Sequence, residues 1–318
     1  MSEASALSNL ALDAVKAAEA AAIAAYHWIG KGEKESADQA AVDALRTGLN
    51  AMSMKGRIVI GEGERDEAPM LFIGEEVGNG EGPEIDIALD PLEGTSLTAK
   101  NMPNALAVLS LSLRGGLLHA PDTYMDKIAV GPGLPPGVID LDAKPEDNIR
   151  NVAKAKGVTP ADITVCILER ERHQYIVDAV KAVGGRVRMI PDGDVAGAMG
   201  ASGLGAPVDM YIGQGGAPEG VLAASALRAI GGQMQARLVF RNEDERARAA
   251  RVGVTDFDRK YDLSELSSSD CLFVAAGVTD GDLVRGVRRR GDVFVTETLL
   301  LNSADHSVRR VQSELVAS

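Results

Sequence analysis

Aromatic side chains make up only 3% of the 318 residues, with a single tryptophan. So few rings give no platform for stacking successive bases, which argues against single-stranded nucleic-acid binding. Basic residues are outnumbered as well: 33 Lys and Arg face 46 Asp and Glu, a formal net charge of -13. That balance opposes general attraction to DNA, RNA or an anionic bilayer, so neither a nucleic-acid nor a membrane partner is expected. It would also repel a phosphorylated small molecule unless cations and local Lys or Arg reverse the field at a site. The two cysteines, Cys166 in ITVCIL and Cys271 in DCLFVAAG, sit in apolar strand-like runs with no Cys-x-x-Cys spacing. They read as buried free thiols of a reducing compartment rather than zinc, iron-sulfur or redox ligands. Four scattered histidines are too few for a histidine-rich metal centre. No apolar run reaches the length of a membrane span, and MSEASALSNL lacks the basic start and apolar core of an export signal, so a cytoplasmic location is expected.

What is present suits a soluble enzyme-sized chain: 45% hydrophobic residues, a mean hydropathy of -0.01 and 35 glycines for tight turns and close backbone approach. Apolar spacing and an Ala-rich composition predict a helix over residues 10–29. A second is predicted after Ser36, where Ser36 and Gln39 have capping-box spacing, with Val42, Leu45, Leu49 and Met52 as its core stripe. Strands are predicted over 57–60, 85–89 and 105–113. The later chain alternates strand-like (163–168, 186–190, 208–212) and helical (173–183, 194–199, 218–230) segments with short links, the pattern of helices packed on a sheet. The Gly- and Pro-rich interval from Gly131 to Gly137, with the helix after it, suggests two halves, 1–158 and 159–318.

Candidate chemistry gathers at strand ends. Asp90-Pro91-Leu92-Glu93-Gly94-Thr95 follows an alternating strand with Asp86 and Asp90 on one face, and Pro91 and Gly94 are expected to stop it. Carboxylates fixed there offer the hard oxygen ligands of a divalent metal, and a metal in turn serves phosphate chemistry; an acidic turn capping the next helix is the plainer alternative. Gly61-Glu62-Gly63-Glu64 ends another strand, either as surface acids or as a second acidic strand end acting with the first. The loop GKGEKESAD presents Glu33 as a candidate ligand, or is a solvated connection. Tyr124 and Lys127 are expected between strands, with Tyr124 a core ring or a donor to substrate. Arg170 and Arg172 could clamp a phosphate or pair with neighbouring glutamates. Asp192 and Asp194 could cap a helix or position substrate. In GQGGAPEG the glycines resemble a phosphate cradle without the GxxxxGK[ST] spacing, which excludes an ATPase, and Glu219 could complete a carboxylate cluster. Arg285, Arg288, Arg289 and Arg290 could approach phosphates or form an exposed basic helix end, the plainer reading, and Arg309 and Arg310 could lie along an oligomer edge.

Taken together, GEGERDEAP, DPLEGT, APDTYMDK, IPDGD and GGAPEG, in this order over nearly the whole chain, closely resemble the bacterial class II fructose-1,6-bisphosphatases of the GlpX family. The resemblance implies the lithium-sensitive, metal-dependent sugar and inositol phosphatase fold, a layered α/β/α/β/α sandwich. It implies hydrolysis of the 1-phosphate of fructose 1,6-bisphosphate by metal-activated water, with Mg²⁺ or Mn²⁺, in a homodimer or homotetramer. Metal binding is carried onto Glu33, Glu62, Asp90, Glu93 and Glu219, with the Leu92 carbonyl as a further ligand. Position 33 is Glu where related enzymes often have Asp. Thr95 is implied to align the water, and Glu62 to orient it. Substrate contacts are implied for Glu93, Gly94, Thr95, Tyr124, Arg170, Arg172, Asp192, Asp194 and Glu219, with Lys31 and Asp66 as supports. Three alternatives remain: dual action on sedoheptulose 1,7-bisphosphate, inositol monophosphate hydrolysis, and sugar-phosphate binding without catalysis.

Overall fold

The computed structural model describes residues 3–63 and 70–316. In chain order the elements are α1 (Glu3–Tyr26), α2 (Lys34–Asn50), β1 (Lys55–Ile60), β2 (Glu76–Val77), β3 (Glu84–Glu93), α3 (Thr95–Ala99) and β4 (Leu106–Leu113). There follow β5 (Tyr124–Val130), α4 (Pro145–Lys156), β6 (Thr164–Leu168), α5 (Gln174–Ala182), β7 (Arg186–Ile190), α6 (Asp194–Gly200), β8 (Met210–Gly216) and α7 (Ala217–Ile230). The chain closes with β9 (Gln233–Val239), α8 (Glu243–Arg251), β10 (Lys260–Asp262), α9 (Leu263–Leu266), β11 (Cys271–Gly277), β12 (Arg288–Arg290), β13 (Val293–Asn302) and β14 (Ser307–Val316).

These elements form two compact units, Met1–Leu118 with Ser268–Ser318, and His119–Ser267. The expected division at 158 instead falls inside the second unit. The cause is β11, which pairs antiparallel with β4 from Cys271↔Ser112 to Gly277↔Leu106 and so returns the C-terminal segment to the first unit's sheet. All seven β11 residues are buried, as a strand flanked on both sides requires.

The first sheet runs β12-β13-β11-β4-β3-β1-β2, with β14 on β13; β1 and β3 are parallel and the other pairs antiparallel. Helix α1 packs on it through small side chains, Ala14, Ala17, Ala18, Ala21 and Ala22 being buried. The second sheet runs β10-β9-β5-β8-β6-β7 and is parallel only where β6 meets β7 and β8. Helices α5, α6 and α7 pack against its strands. The expected α/β class is therefore what the chain adopts: two mixed sheets, each carrying helices, as a layered α/β sandwich requires.

Several local expectations are corrected. Helix α1 begins earlier and ends at Tyr26, and α2 starts at Lys34 with Glu33 as its N-cap, so Ser36 lies inside the helix. Arg288–Arg290 form a strand, not a helix end, because they pair with Val293–Val295 across a tight turn at Asp292. Both cysteines are free and buried. Among the described residues no helix is long and apolar enough to cross a membrane.

Candidate active site

In the first unit, Pro91 does not end the strand. β3 continues to Glu93, and its pairing with β4 passes from Asp90↔Val108 to Glu93↔Leu106, three steps against two. The extra residue is a β-bulge, a place where proline's missing N–H is tolerated and where side chains at a strand end are re-aimed. Asp90 is half-buried, and its Oδ1 accepts a hydrogen bond from Leu92 N at 3.1 Å, which fixes the carboxylate over the bulge. Leu92 and Glu93 are buried. Gly94 then turns the chain with φ +85°, the left-handed conformation that favours glycine, and a Cβ there would press on the Leu97 side chain. Thr95, half-buried, is the first residue of α3.

Because β1 and β3 are parallel, their C-terminal ends lie side by side. The last paired residues, Ile60 and Ala88, stand two positions before Glu62 and Asp90 in their own segments. Glu62 is held by its own N–H on Leu71 O at 3.0 Å. Leu71, buried with φ 55°, is in turn held through its N–H by Glu75 Oε2, while Arg46 Nε donates to Glu75 Oε1 at 2.7 Å. Glu75 thus positions the turn that carries Glu62. The sequence reading missed it, since it lies in a mostly apolar interval and its partner Arg46 is on α2.

The Glu33 loop is tied to the same region through the backbone: Gly30 N donates to Thr98 O at 2.9 Å and Gly32 N to Ala99 O at 3.0 Å. These bonds attach the loop to the end of α3, the helix that Thr95 begins. Glu33 and Lys31 are exposed, and Lys31 Nζ lies 5.1 Å from the centre of the Trp28 ring. Asp86, by contrast, is structural: fully buried, it receives Gly115 N at 2.6 Å and faces Arg57 and Arg114 at 3.5 and 3.4 Å. Asp66 lies outside the described residues.

In the second unit, Tyr124 opens β5 rather than lying between strands. The Arg172 and Arg241 guanidiniums lie 5.0 and 4.9 Å from its ring centre, so two cations share one aromatic surface. Arg172 also donates to Gln214 O at 2.9 Å, and Arg170 to Glu169 O and Pro191 O at 2.9 and 2.8 Å. Both are exposed and oriented by these carbonyls, which leaves their charge available to an anion. Arg241, fixed by Glu245 at 2.5 Å, was missed because nothing in VFRNEDE ties it to a tyrosine so distant in sequence.

Behind this surface lies a buried polar cluster. Lys127 and Asp194 are 2% and 6% exposed, and Lys127 Nζ donates to Asp194 Oδ2 at 2.5 Å and to Gly216 O at 2.7 Å. Tyr211 OH donates to the same Oδ2 at 3.4 Å. Burial and the adjoining Asp194 push the Glu219 carboxyl up to about 7, against the pull of Lys127. The GQGG segment is the end of β8, not a loop, and its glycines make room for this cluster. A Cβ on Gly215 would lie 1.8 Å from Asp194 Oδ2, and one on Gly216 1.9 Å from Glu219 Oε2. Asp192 is half-buried in the turn before α6.

His173, absent from the sequence-based site, is 1% exposed. Its Nε2 accepts from Gln214 N at 2.9 Å, so Nδ1 carries the proton and donates to Leu168 O at 2.8 Å. Burial, aided by Arg172 and Arg170, holds its pKa below the usual value although the Leu168 carbonyl pulls upward. The unfolded chain then binds a proton near pH 6.5 that the folded chain refuses until lower pH. The resulting stabilisation is complete above about pH 6.5 and lost as pH falls through the folded value. We expect the urea midpoint to drop less between about pH 7.5 and 5.5 in His173→Gln than in the parent chain; equal drops would exclude this role.

Among the described residues, no three His, Cys, Asp or Glu side chains converge closely enough to hold a metal ion. The donor chemistry nonetheless fits a hard divalent cation: Glu62, Asp90 and Glu93 are carboxylates at neighbouring strand ends. In the second unit, Asp194 Oδ1 and Glu219 Oε2 are sealed from solvent with no hydrogen-bond partner among the described residues. Two buried carboxylates against one lysine leave negative charge to be met by a cation or by hydroxyl donors.

Comparison with known proteins gives a consistent picture. A family profile described as bacterial fructose-1,6-bisphosphatase, glpX-encoded, matches residues 8–315. The chain is 45% identical over 319 aligned positions to "Fructose-1,6-bisphosphatase 1 class 2" of Escherichia coli (strain K12), covering 96% of this chain and 94% of that protein. "Fructose-1,6-bisphosphatase class 2" of Shigella flexneri matches at the same identity and coverage. Among solved structures, an inositol monophosphatase from Anabaena (Nostoc) sp. PCC 7120 aligns with a TM-score of 0.30 at 13% identity, covering 61% of this chain and 70% of that one. That likeness is too weak to carry an assignment.

Proposed function

The chain belongs to the bacterial glpX-encoded fructose-1,6-bisphosphatase family, and we propose that it hydrolyses the 1-phosphate of D-fructose 1,6-bisphosphate to fructose 6-phosphate and phosphate in gluconeogenesis. The observation that carries this reading is the match to class II enzymes over almost the full chain. Glu33, Glu62, Asp90, Glu93 and the Leu92 carbonyl would hold Mg²⁺ or Mn²⁺, and Glu219 is a further candidate ligand. When bound, such ions screen the phosphate and make water a nucleophile at neutral pH.

The remaining work falls to the protein's own groups. Thr95, at the start of α3, can accept from the attacking water and donate to a phosphate oxygen, since one hydroxyl does both. Glu93, Gly94 and Thr95 contact the phosphate to be removed. Lys31 and Asp66 support the ligand-bearing segments. Arg170 and Arg172 hold the phosphate that stays, with Tyr124 beside Arg172, and Asp192 and Asp194 accept sugar hydroxyl hydrogens. Splitting the anchor from the reacting end converts binding of the remote phosphate into orientation of the scissile one. The two buried thiols suit a reducing cytoplasm.

The test is phosphate release measured side by side on fructose 1,6-bisphosphate, sedoheptulose 1,7-bisphosphate and inositol monophosphate, with Mg²⁺ and with Mn²⁺. Preference for the first supports the reading, and comparable use of the second widens it to a dual bisphosphatase. Preference for the third, or binding without release, overturns it.

A further inference from the structure

Tyr124 begins β5, the strand between β8 and β9, and stands opposite Gly216 of the one and Val239 of the other, the last residue of each. One ring is thereby offered to side chains arriving from both neighbours. Arg172 reaches it while held on Gln214 O of β8, and Arg241, two residues beyond Val239 in the chain, reaches it after β9 has ended. Two cations are thus brought to one aromatic surface. Like charges so placed repel, and an anion bound between them turns that repulsion into attraction.

Arg241 is fixed in place before any anion arrives. Its Nε and Nη2 both meet Oε1 of Glu245 at 2.5 Å, and its backbone N–H donates to Oε2 at 2.7 Å. Glu245 is 1% exposed and lies in the first turn of α8, where its own N–H donates to the capping Asn242 at 2.9 Å. Thr123, the residue before Tyr124, brings its Oγ1 to 2.9 Å from Glu245 Oε2 and 2.8 Å from Val239 O. A single buried carboxylate therefore orients the guanidinium and ties down the segment that carries the ring. Yet 57% of the Arg241 side chain is exposed, more than a bare counter-ion to Glu245 requires. Among the described residues, neither the two N–H groups of Nη1 nor the second of Nη2 has a hydrogen-bond partner, which leaves three of the five donors for a ligand.

A planar guanidinium with donors to spare matches phosphate oxygens in pairs. We propose that Arg241 binds the phosphate at the far end of the sugar from the scissile bond, sharing that anion with Arg172, and so sets the preference for a substrate phosphorylated at both ends. This rests on the reading of a sugar bisphosphate as substrate. Glu245 then acts through Arg241, as the group that positions it.

Calorimetric binding of fructose 6-phosphate, which has the far phosphate and no scissile one, tests this on the full-length protein in the presence of Mg²⁺. Arg241→Gln, and Arg241→Gln combined with Glu245→Gln, should each raise the dissociation constant about 30-fold. The double variant removes the buried carboxylate's charge together with its partner, so it should fold even where the single one does not. Arg241→Lys should lie between parent and Arg241→Gln, since it keeps the charge without the fork. In each variant the kcat/KM preference for fructose 1,6-bisphosphate over fructose 1-phosphate, which lacks the far phosphate, should fall by a similar factor; a residue that only braced the fold would lower both alike. Unchanged fructose 6-phosphate affinity in the Arg241→Gln variants, or an unaltered preference between the two substrates, would overturn the proposal. Arg241-dependent binding of fructose 6-phosphate by a parent that releases no phosphate from the bisphosphate would support the contact and overturn the hydrolase reading instead.

Discussion

Replacing Asp90 by Asn is expected to lower kcat/KM for fructose 1,6-bisphosphate about a thousand-fold, about 4 kcal/mol of transition-state stabilisation, without lowering the unfolding midpoint. The fold should survive because an amide Oδ1 can accept the same bond from Leu92 N, so the bulge that seats Glu93 and Gly94 keeps its tie. What is lost is the negative charge that a hard cation requires of its oxygen donors. The heat stabilisation that Mg²⁺ or Mn²⁺ gives the parent should shrink in parallel with turnover. Thr95→Ala supplies the contrast, with metal-dependent stabilisation kept and turnover sharply reduced. If Asp90→Asn turned over at the parental rate, the assignment of this strand end as the metal site would fail. If Thr95→Ala did so, the water-aligning role would fall while the metal site could stand.

The turn in DPLEGT was legible in the sequence because it is local: Gly94 takes the one conformation that starts α3. The bulge beneath it was not, since proline within a strand reads as a stop and only the pairing of Glu93 with Leu106 shows the ladder resuming. Lys127 escaped for a related reason. The β5 sequence YMDKIAV places a lysine at an inward position, which makes sense only once Asp194, supplied by another strand-helix turn, is known to meet it. The glycines of GQGG were read by composition as an anion cradle; their positions reflect the bulk of Asp194 and Glu219 pressing on β8. The unit boundary failed on the same ground, because the pairing of β11 with β4 joins segments far apart in the chain and leaves no mark in either. Local chemistry is written in neighbours, whereas packing that spans the chain is not.

That buried pair gives the largest expected effect on stability. Lys127→Met should destabilise the protein by about 3–5 kcal/mol, because it strands the Asp194 carboxylate in a site closed to water. Surface screening offers little relief, the two side chains being 2% and 5% exposed. Gly216 O would also lose its donor. The loss should appear as a lower urea midpoint with an unchanged slope. A second change separates lost attraction from stranded charge: Lys127→Met with Asp194→Asn should recover most of the stability, since a neutral amide costs far less to bury than a lone carboxylate. Activity should stay low in the double variant if Asp194 accepts a sugar hydroxyl as proposed, and the loss should fall on KM as well as on kcat. Equal destabilisation in single and double variants would show that Lys127 acts through its packing rather than by neutralising Asp194. Recovery of stability and turnover together would remove Asp194 from the substrate site and leave the pair a purely structural device of the second sheet.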